Sequence, residues 1–236
     1  MKRISSFFKR YFIDAMGAMA LGLFASLLIG TIFKTIGRYT NFSFLVDVSG
    51  FCTKASGMAI GVAIAYALKA DPLVMYCCAV VGSAGYDLGA TIPLANGENI
   101  SYTAGPAGAF VAVVIAVEIG MLISKKTKID IILTPALTIL TGCGVAYFAC
   151  KPIAWAMYYL GDFINVATEM HPFAMGIVIS VVVGLILTLP ISSAAICAMI
   201  GITGLAGGAA TVGCCAQMVG FAVISFRENK FGGLVA

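Results

Sequence analysis

Charge is what this chain has least of: 10% of its 236 residues are Asp, Glu, Lys or Arg, against 61% apolar. So little polar surface cannot cover a water-exposed globule of this size, and a soluble domain is excluded. Histidine is nearly absent, His171 standing alone, and no Cys-x-x-Cys pair occurs. Those gaps argue against a zinc or iron site, and no metal or other cofactor is expected. Neither GxxxxGK[ST] nor a GxGxxG following a strand is present, which argues against ATP hydrolysis or dinucleotide chemistry by this chain. The nucleophile and base pair of soluble hydrolases is missing too. No nucleic-acid partner is expected.

What the chain has is long apolar runs, which makes the lipid bilayer its solvent. Runs of about 20 apolar residues cross a hydrocarbon core of ~30 Å. They are expected at Ile13 to Phe33, Phe51 to Leu68, Pro72 to Pro93, Ala107 to Ser124 and Ile129 to Cys150. Lys151 to His171 is too polar for a lipid-facing span and reads as interfacial or re-entrant. Phe173 to Leu189 is apolar again, and Ile191 to Phe226 is Gly-rich and long enough to cross and return. The first run is too long for a signal peptide and is followed by Lys34 and Arg38 without a small-residue cleavage site.

The fold class expected is all-α: a polytopic transmembrane helical bundle of about eight crossings, with re-entrant or broken helices, forming one domain over residues 1–236. Lys2, Arg3, Lys9 and Arg10, the group Lys125, Lys126 and Lys128, and the pair Arg227 and Lys230 mark one side, expected to be cytoplasmic and to hold the N-terminus. The turn Leu189-Pro-Ile-Ser-Ser193 would then lie on that side without a charge, as a broken helix would show. Gly57xxxGly61, Gly85xxxGly89 and Gly204xxxGly208 are helix-packing signals; a homo-oligomer is left open. Cys77, Cys78, Cys143, Cys197, Cys214 and Cys215 sit within apolar stretches as small packing residues.

Ionisable and amide groups at membrane depth are costly and therefore informative. Asp87 lies among glycines beside Tyr86, and Glu118 stands alone in an apolar run, either reaching for Lys125 or Lys126 or titrating in a proton-coupled cycle. The densest polar stretch, Pro93 to Pro106, holds Asn96, Glu98, Asn99, Ser101 and Tyr102. It reads equally as a site for a hydroxylated ligand and as an external loop. Asp162, Asn165 and Glu169 share a helix face by their spacing, and His171 follows as a proton shuttle or a plain helix-end residue. The substrate-binding candidates are Asp87, Asn96, Glu98, Asn99, Ser101, Tyr102, Asn165, Glu169 and His171; no residue is expected to be catalytic.

Four segments carry a resemblance: Tyr11 to Gly30, Gly97-Glu-Asn-Ile-Ser-Tyr-Thr-Ala-Gly-Pro-Ala-Gly108, Leu187-Thr-Leu-Pro-Ile-Ser-Ser-Ala-Ala195, and Met218 to Asn229. Together they resemble the bacterial phosphotransferase-system IIC membrane family, which includes toxin-regulator-like membrane proteins. The resemblance covers essentially the whole chain. It implies a plasma-membrane sugar permease that presents its sugar to phosphorylated cytoplasmic carrier subunits, with phosphotransferase activity only within that multi-subunit system. The rivals are a proton-coupled transporter of a small polar solute and a membrane regulator of gene expression that moves nothing. Members of that family continue past the equivalent of Gly233-Leu-Val-Ala236, so a C-terminal truncation is expected.

Overall fold

A computed structural model describes residues 9–93, 99–126, 129–169, 172–186 and 204–229. The helices are α1 (Lys9–Thr40), α2 (Ser43–Lys54), α3 (Ser56–Ala67), α4 (Pro72–Asp87), α5 (Gly105–Ile123), α6 (Asp130–Glu169), α7 (Pro172–Ile186) and α8 (Gly204–Asn229). A β-hairpin of β1 (Gly89–Pro93) and β2 (Asn99–Thr103) joins α4 to α5. The chain divides into two compact units, Met1–Tyr158 and Tyr159–Ala236.

Among the described residues, four stretches are long and apolar enough to cross a membrane: Lys9–Thr40, Gly105–Ile123, Asp130–Tyr159 and Gly207–Arg227. The pair α2 and α3, bent by 49° at their junction, makes a fifth in the form of a broken span. α4 and α7 are apolar but shorter, at 16 and 15 residues. The polytopic helical expectation is therefore met, with broken elements where helices meet polar sequence. One boundary differs from the sequence reading: no break separates Cys150 from Lys151, and α6 runs on for 40 residues through Pro152. Lys151 stays within this helix with its ammonium 4.4 Å from the Tyr147 ring centre, a cation–π contact that partly replaces water around the charge.

Within the first unit α3, α4 and α5 form the tightest packing. Lipid tails are as apolar as the side chains, so the helices gain from close contact, not from escaping water. Small residues provide that contact. A Cβ on Gly61 would collide with the Cys78 carbonyl, and one on Gly57 would come within 2.8 Å of the Gly82 carbonyl oxygen. The α4–α5 contact repeats the device, since a Cβ on Gly85 would stand 2.9 Å from the Ala109 Cα. Ile60, Ile64, Val74, Val81, Val113 and Val117 fill the remaining space and are fully buried. Gly57xxxGly61 is thus an intrachain packing motif. Gly208, by contrast, meets nothing, and in the second unit Gly213 takes the packing role against Ser180.

In that second unit Ser180 meets Ala209 and Gly213, while Gly184 meets Gly213 and Gln217. The contacts advance in the same sense along both helices, so α7 and α8 run with the same polarity. The expected turn at Leu189 to Ser193 lies outside the described residues.

One end of the first unit is tied by charge. Lys125 Nζ pairs with Asp71 across the α3–α4 and α5–α6 turns, and Ser124 Oγ donates to the other Asp71 oxygen at 2.9 Å. Asp130 at the start of α6 accepts from the Lys125 backbone N–H at 3.0 Å and from Thr134 Oγ1 at 2.5 Å. The hydrogen bonds from Lys125 and Ser124 hold the Asp71 carboxyl below its ordinary value of 3.8. The contribution of this tie is complete above that value and is lost as pH falls through the depressed one. Asp71→Asn should lower the thermal midpoint in detergent at neutral pH, and the gap to wild type should close in acid below pH 3.8. A gap that persists in acid would contradict the assignment. Gly61→Ala should destabilise by about 1–3 kcal/mol through overpacking, whereas Gly144→Ala, which meets open space, should stay within about 0.5 kcal/mol by the same thermal measurement.

Candidate functional site

Helix α4 ends at Asp87 because the next residues, Leu88 to Pro93, take extended backbone. Broken helical backbone at the edge of the hydrocarbon leaves N–H and C=O groups that need partners. The hairpin supplies them: Gly89 pairs with Thr103, Ala90 with Tyr102, Thr91 with Ser101, Ile92 with Ile100 and Pro93 with Asn99. The Ala104 N–H extends the ladder to the Leu88 carbonyl at 2.9 Å. Gly89 is required here, since a Cβ would strike the Tyr102 carbonyl, and Gly105 at φ 57° turns the chain into α5.

Strand alternation gives the hairpin two faces. Ala90 and Ile92 are buried against Ala154 of α6, with Tyr102, Trp155 and Tyr158 packed around them. Tyr102 and Tyr158 meet edge to face with centroids 6.1 Å apart, and Trp155 and Tyr158 do so at 6.4 Å. Burial raises the Tyr102 phenol above its ordinary range, which keeps it neutral. The opposite face presents Thr91, Ser101 and Thr103, all exposed. Asp87, also exposed, stands at the foot of the hairpin and accepts from Ser83 Oγ at 3.4 Å.

The depth of this element follows from helix length. Ala154 to Tyr158 lie about 36–42 Å along α6 from Asp130, at 1.5 Å per residue, against a hydrocarbon core of ~30 Å. α4 is about 24 Å long, and five strand residues add about 16 Å. Both lengths are enough to reach the boundary opposite the Asp71–Lys125 end, where Trp and Tyr favour the headgroup level.

The sequence candidates are thereby sorted. Asp87 and Ser101 belong to the exposed polar side, whereas Tyr102 belongs to the aromatic face beneath it. The backbone of Asn99 is paired in β2, and Asn96 and Glu98 lie outside the described residues. Asn165 and Glu169 sit on α6, and His171 lies outside the described residues. Glu118 reaches neither Lys125 nor Lys126. It accepts from Arg10 and from the Tyr11 hydroxyl, each at 2.7 Å, because α1 brings its basic end against α5. Long-range pairing of this kind leaves no spacing signal. Trp155 and Tyr158 were likewise missed as parts of the site, although interfacial aromatics beside a polar break were the available clue.

The second unit offers an apolar groove of about 800 Å³ between α7 and α8. Ser180 and Gln217 are its polar lining residues, and the Ser180 hydroxyl already donates to the Ala209 carbonyl at 2.7 Å. A polyol would find few partners there, so the hairpin is the better candidate. Ile92→Ala should loosen the hairpin from α6: hydrogen exchange should accelerate across 89–103 while α4 and α5 keep their protection. Unchanged exchange in the hairpin would mean that this contact does not hold it.

Comparison with known proteins agrees with this architecture. No curated protein and no solved structure matches the chain. A family model, "Phosphotransferase system, EIIC", matches residues 13–236, nearly the whole sequence. That range includes the first-unit bundle, the hairpin and both helices of the second unit, and on it the chain belongs to the phosphotransferase system EIIC family.

Proposed function

We propose that the chain binds a sugar at the outer boundary of the bacterial plasma membrane and translocates it for phosphorylation by a cytoplasmic carrier subunit, in a phosphoenolpyruvate-dependent system. The family match over residues 13–236 is the observation that carries this reading, because EIIC chains are permease-type sugar transporter subunits. The phosphoryl donor is a second protein, in keeping with the lack of a nucleotide-binding loop in the sequence.

Within that reading the polar side of the hairpin is the sugar contact. A sugar carries a rim of hydroxyls that both donate and accept, and it is held by carboxylates, amides and hydroxyls on a backbone that cannot collapse. Asp87 and Ser101 supply such groups, with Asn96, Glu98 and Asn99 from the same segment. Tyr102 serves as a positioning residue through its packing on Trp155 and Tyr158. Asn165, Glu169 and His171 are further candidate sugar contacts in this reading. The N-terminus is cytoplasmic in this scheme, supported by the basic turn at Lys125 and Lys126 and by Arg10. Glu118, engaged by Arg10 and Tyr11, serves to anchor α1 and not to carry protons.

Reconstituted in vesicles with phosphoenolpyruvate and the phosphorylated carrier proteins, the chain should convert a labelled sugar from a panel into its phosphate inside. Accumulation of unmodified solute driven by a pH gradient would overturn the proposal. Asp87→Asn and Ser101→Ala should each weaken sugar binding about tenfold while leaving membrane insertion intact.

A further inference from the structure

α1 is 32 residues long, about 48 Å at 1.5 Å per residue, whereas about 20 residues suffice for a hydrocarbon core of ~30 Å. Its last 12 residues, Ile29–Thr40, therefore exceed one crossing counted from the Lys9 end. The excess begins at an irregularity: the helix is wound as a π-helix over Phe24–Leu28, and there α1 changes partner. Gly22, before it, lies against Ala59 and Ile60 of α3; Gly30 and Gly37, after it, lie against Cys52 and Val46 of α2. Asn41 at φ 53° ends α1, the Phe42 N–H donates to the Gly37 carbonyl at 3.0 Å, and α2 runs back to the 49° bend before α3. Ile29–Lys54 is thus a helical hairpin of two 12-residue arms, each about 18 Å long and too short to cross.

Both arms are amphipathic. In the first, the exposed residues divide between Ile29, Ile32 and Ile36 on one side and Thr31, Lys34 and Arg38 on the other. In the second, exposed Phe44 and Phe51 stand apart from exposed Ser43, Asp47 and Lys54. At about 100° per residue, measured from the glycine-lined contact between the arms, the two apolar sides fall together and so do the two polar sides. The hairpin therefore has one apolar face and one charged face, with Lys34, Arg38 and Lys54 against the single carboxylate of Asp47. None of these four charges has an ion-pair partner among the described residues. Standing in water, the hairpin would bare its apolar face; sunk in hydrocarbon, it would bury four unpaired charges. Only the boundary between the two satisfies both faces.

We propose that the Ile29–Lys54 hairpin lies in the membrane boundary opposite the Asp71–Lys125 end, as an interfacial anchor that binds anionic phospholipid. Its apolar face enters the acyl chains, while Lys34, Arg38 and Lys54 meet the lipid phosphates. Three cations against one carboxylate leave the polar face at +2, which favours anionic headgroups over neutral ones. Arg38 can take a phosphate through two parallel N–H donors, and Lys34 adds a point charge one helical turn away. The π-wound segment of α1 and the bend between α2 and α3 lie at the base of the two arms, where the hairpin turns out of the bundle. This placement is independent of the sugar reading.

The test uses the full chain in nanodiscs of phosphatidylcholine, alone or mixed with phosphatidylglycerol. Spin labels on Ile36→Cys and Phe44→Cys, in a background with the native cysteines replaced, should be relaxed by lipid-soluble oxygen. Labels on Thr31→Cys and Ser43→Cys should instead be relaxed by a water-soluble nickel chelate. Nickel access at all four positions means a hairpin standing in water, oxygen access at all four means an immersed one, and either overturns the interfacial placement. Phosphatidylglycerol should slow hydrogen exchange across 29–54 about fivefold in wild type and leave it unchanged in Lys34→Gln with Arg38→Gln. The charge-conserving Lys34→Arg with Arg38→Lys should keep the slowing. Equal slowing in the glutamine variant overturns the lipid assignment.

Discussion

Every backbone N–H and C=O at membrane depth needs a partner inside the protein, and the arrangement of this chain follows from that demand. Helices meet it residue by residue, which is why apolar sequence here is helical. At Asp87 the helix stops, and the exposed groups are recovered by a hairpin whose two strands satisfy each other. A loose loop of the same composition would leave them bare. The hairpin can therefore carry hydroxyls and a carboxylate on one side at the bilayer boundary while its other side packs on Trp155 and Tyr158. Polar chemistry and membrane residence coexist because the strand period separates them.

Close packing supplies the second requirement. α3, α4 and α5 approach through Gly57, Gly61, Gly82, Gly85 and Gly108, so the hairpin rises from a pair of helices whose spacing is fixed by backbone contact. At their other end Asp71, Ser124, Lys125 and Asp130 join the turns.

Much of this was legible in the sequence. Apolar runs located α1, α5 and the first half of α6 because lipid solvation leaves an unambiguous length signal. Polar residues between Pro93 and Pro106 marked the segment that leaves the helical pattern, although a hairpin could not be told from a loop there: the alternation Ala90, Ile92 against Thr91 is too short to read alone. Gly57xxxGly61 was read as packing, and it packs. Glu118 was not legible, because its partners Arg10 and Tyr11 lie over a hundred residues away. The continuity of α6 was hidden by Lys151 and Pro152, two residues that usually end a span. The sharing of polarity by α7 and α8 depends on Ser180 and Gly213, whose meeting no local pattern announces.

The central claim is that the hairpin, the candidate sugar site, and the basic turns face opposite sides of the membrane. Single cysteines at Thr103 and at Lys126, placed in a background with the native cysteines replaced, test it in intact cells with a membrane-impermeant maleimide. The account predicts labelling at 103 from outside and at 126 only after the membrane is opened. Labelling of both positions from the same side would contradict it.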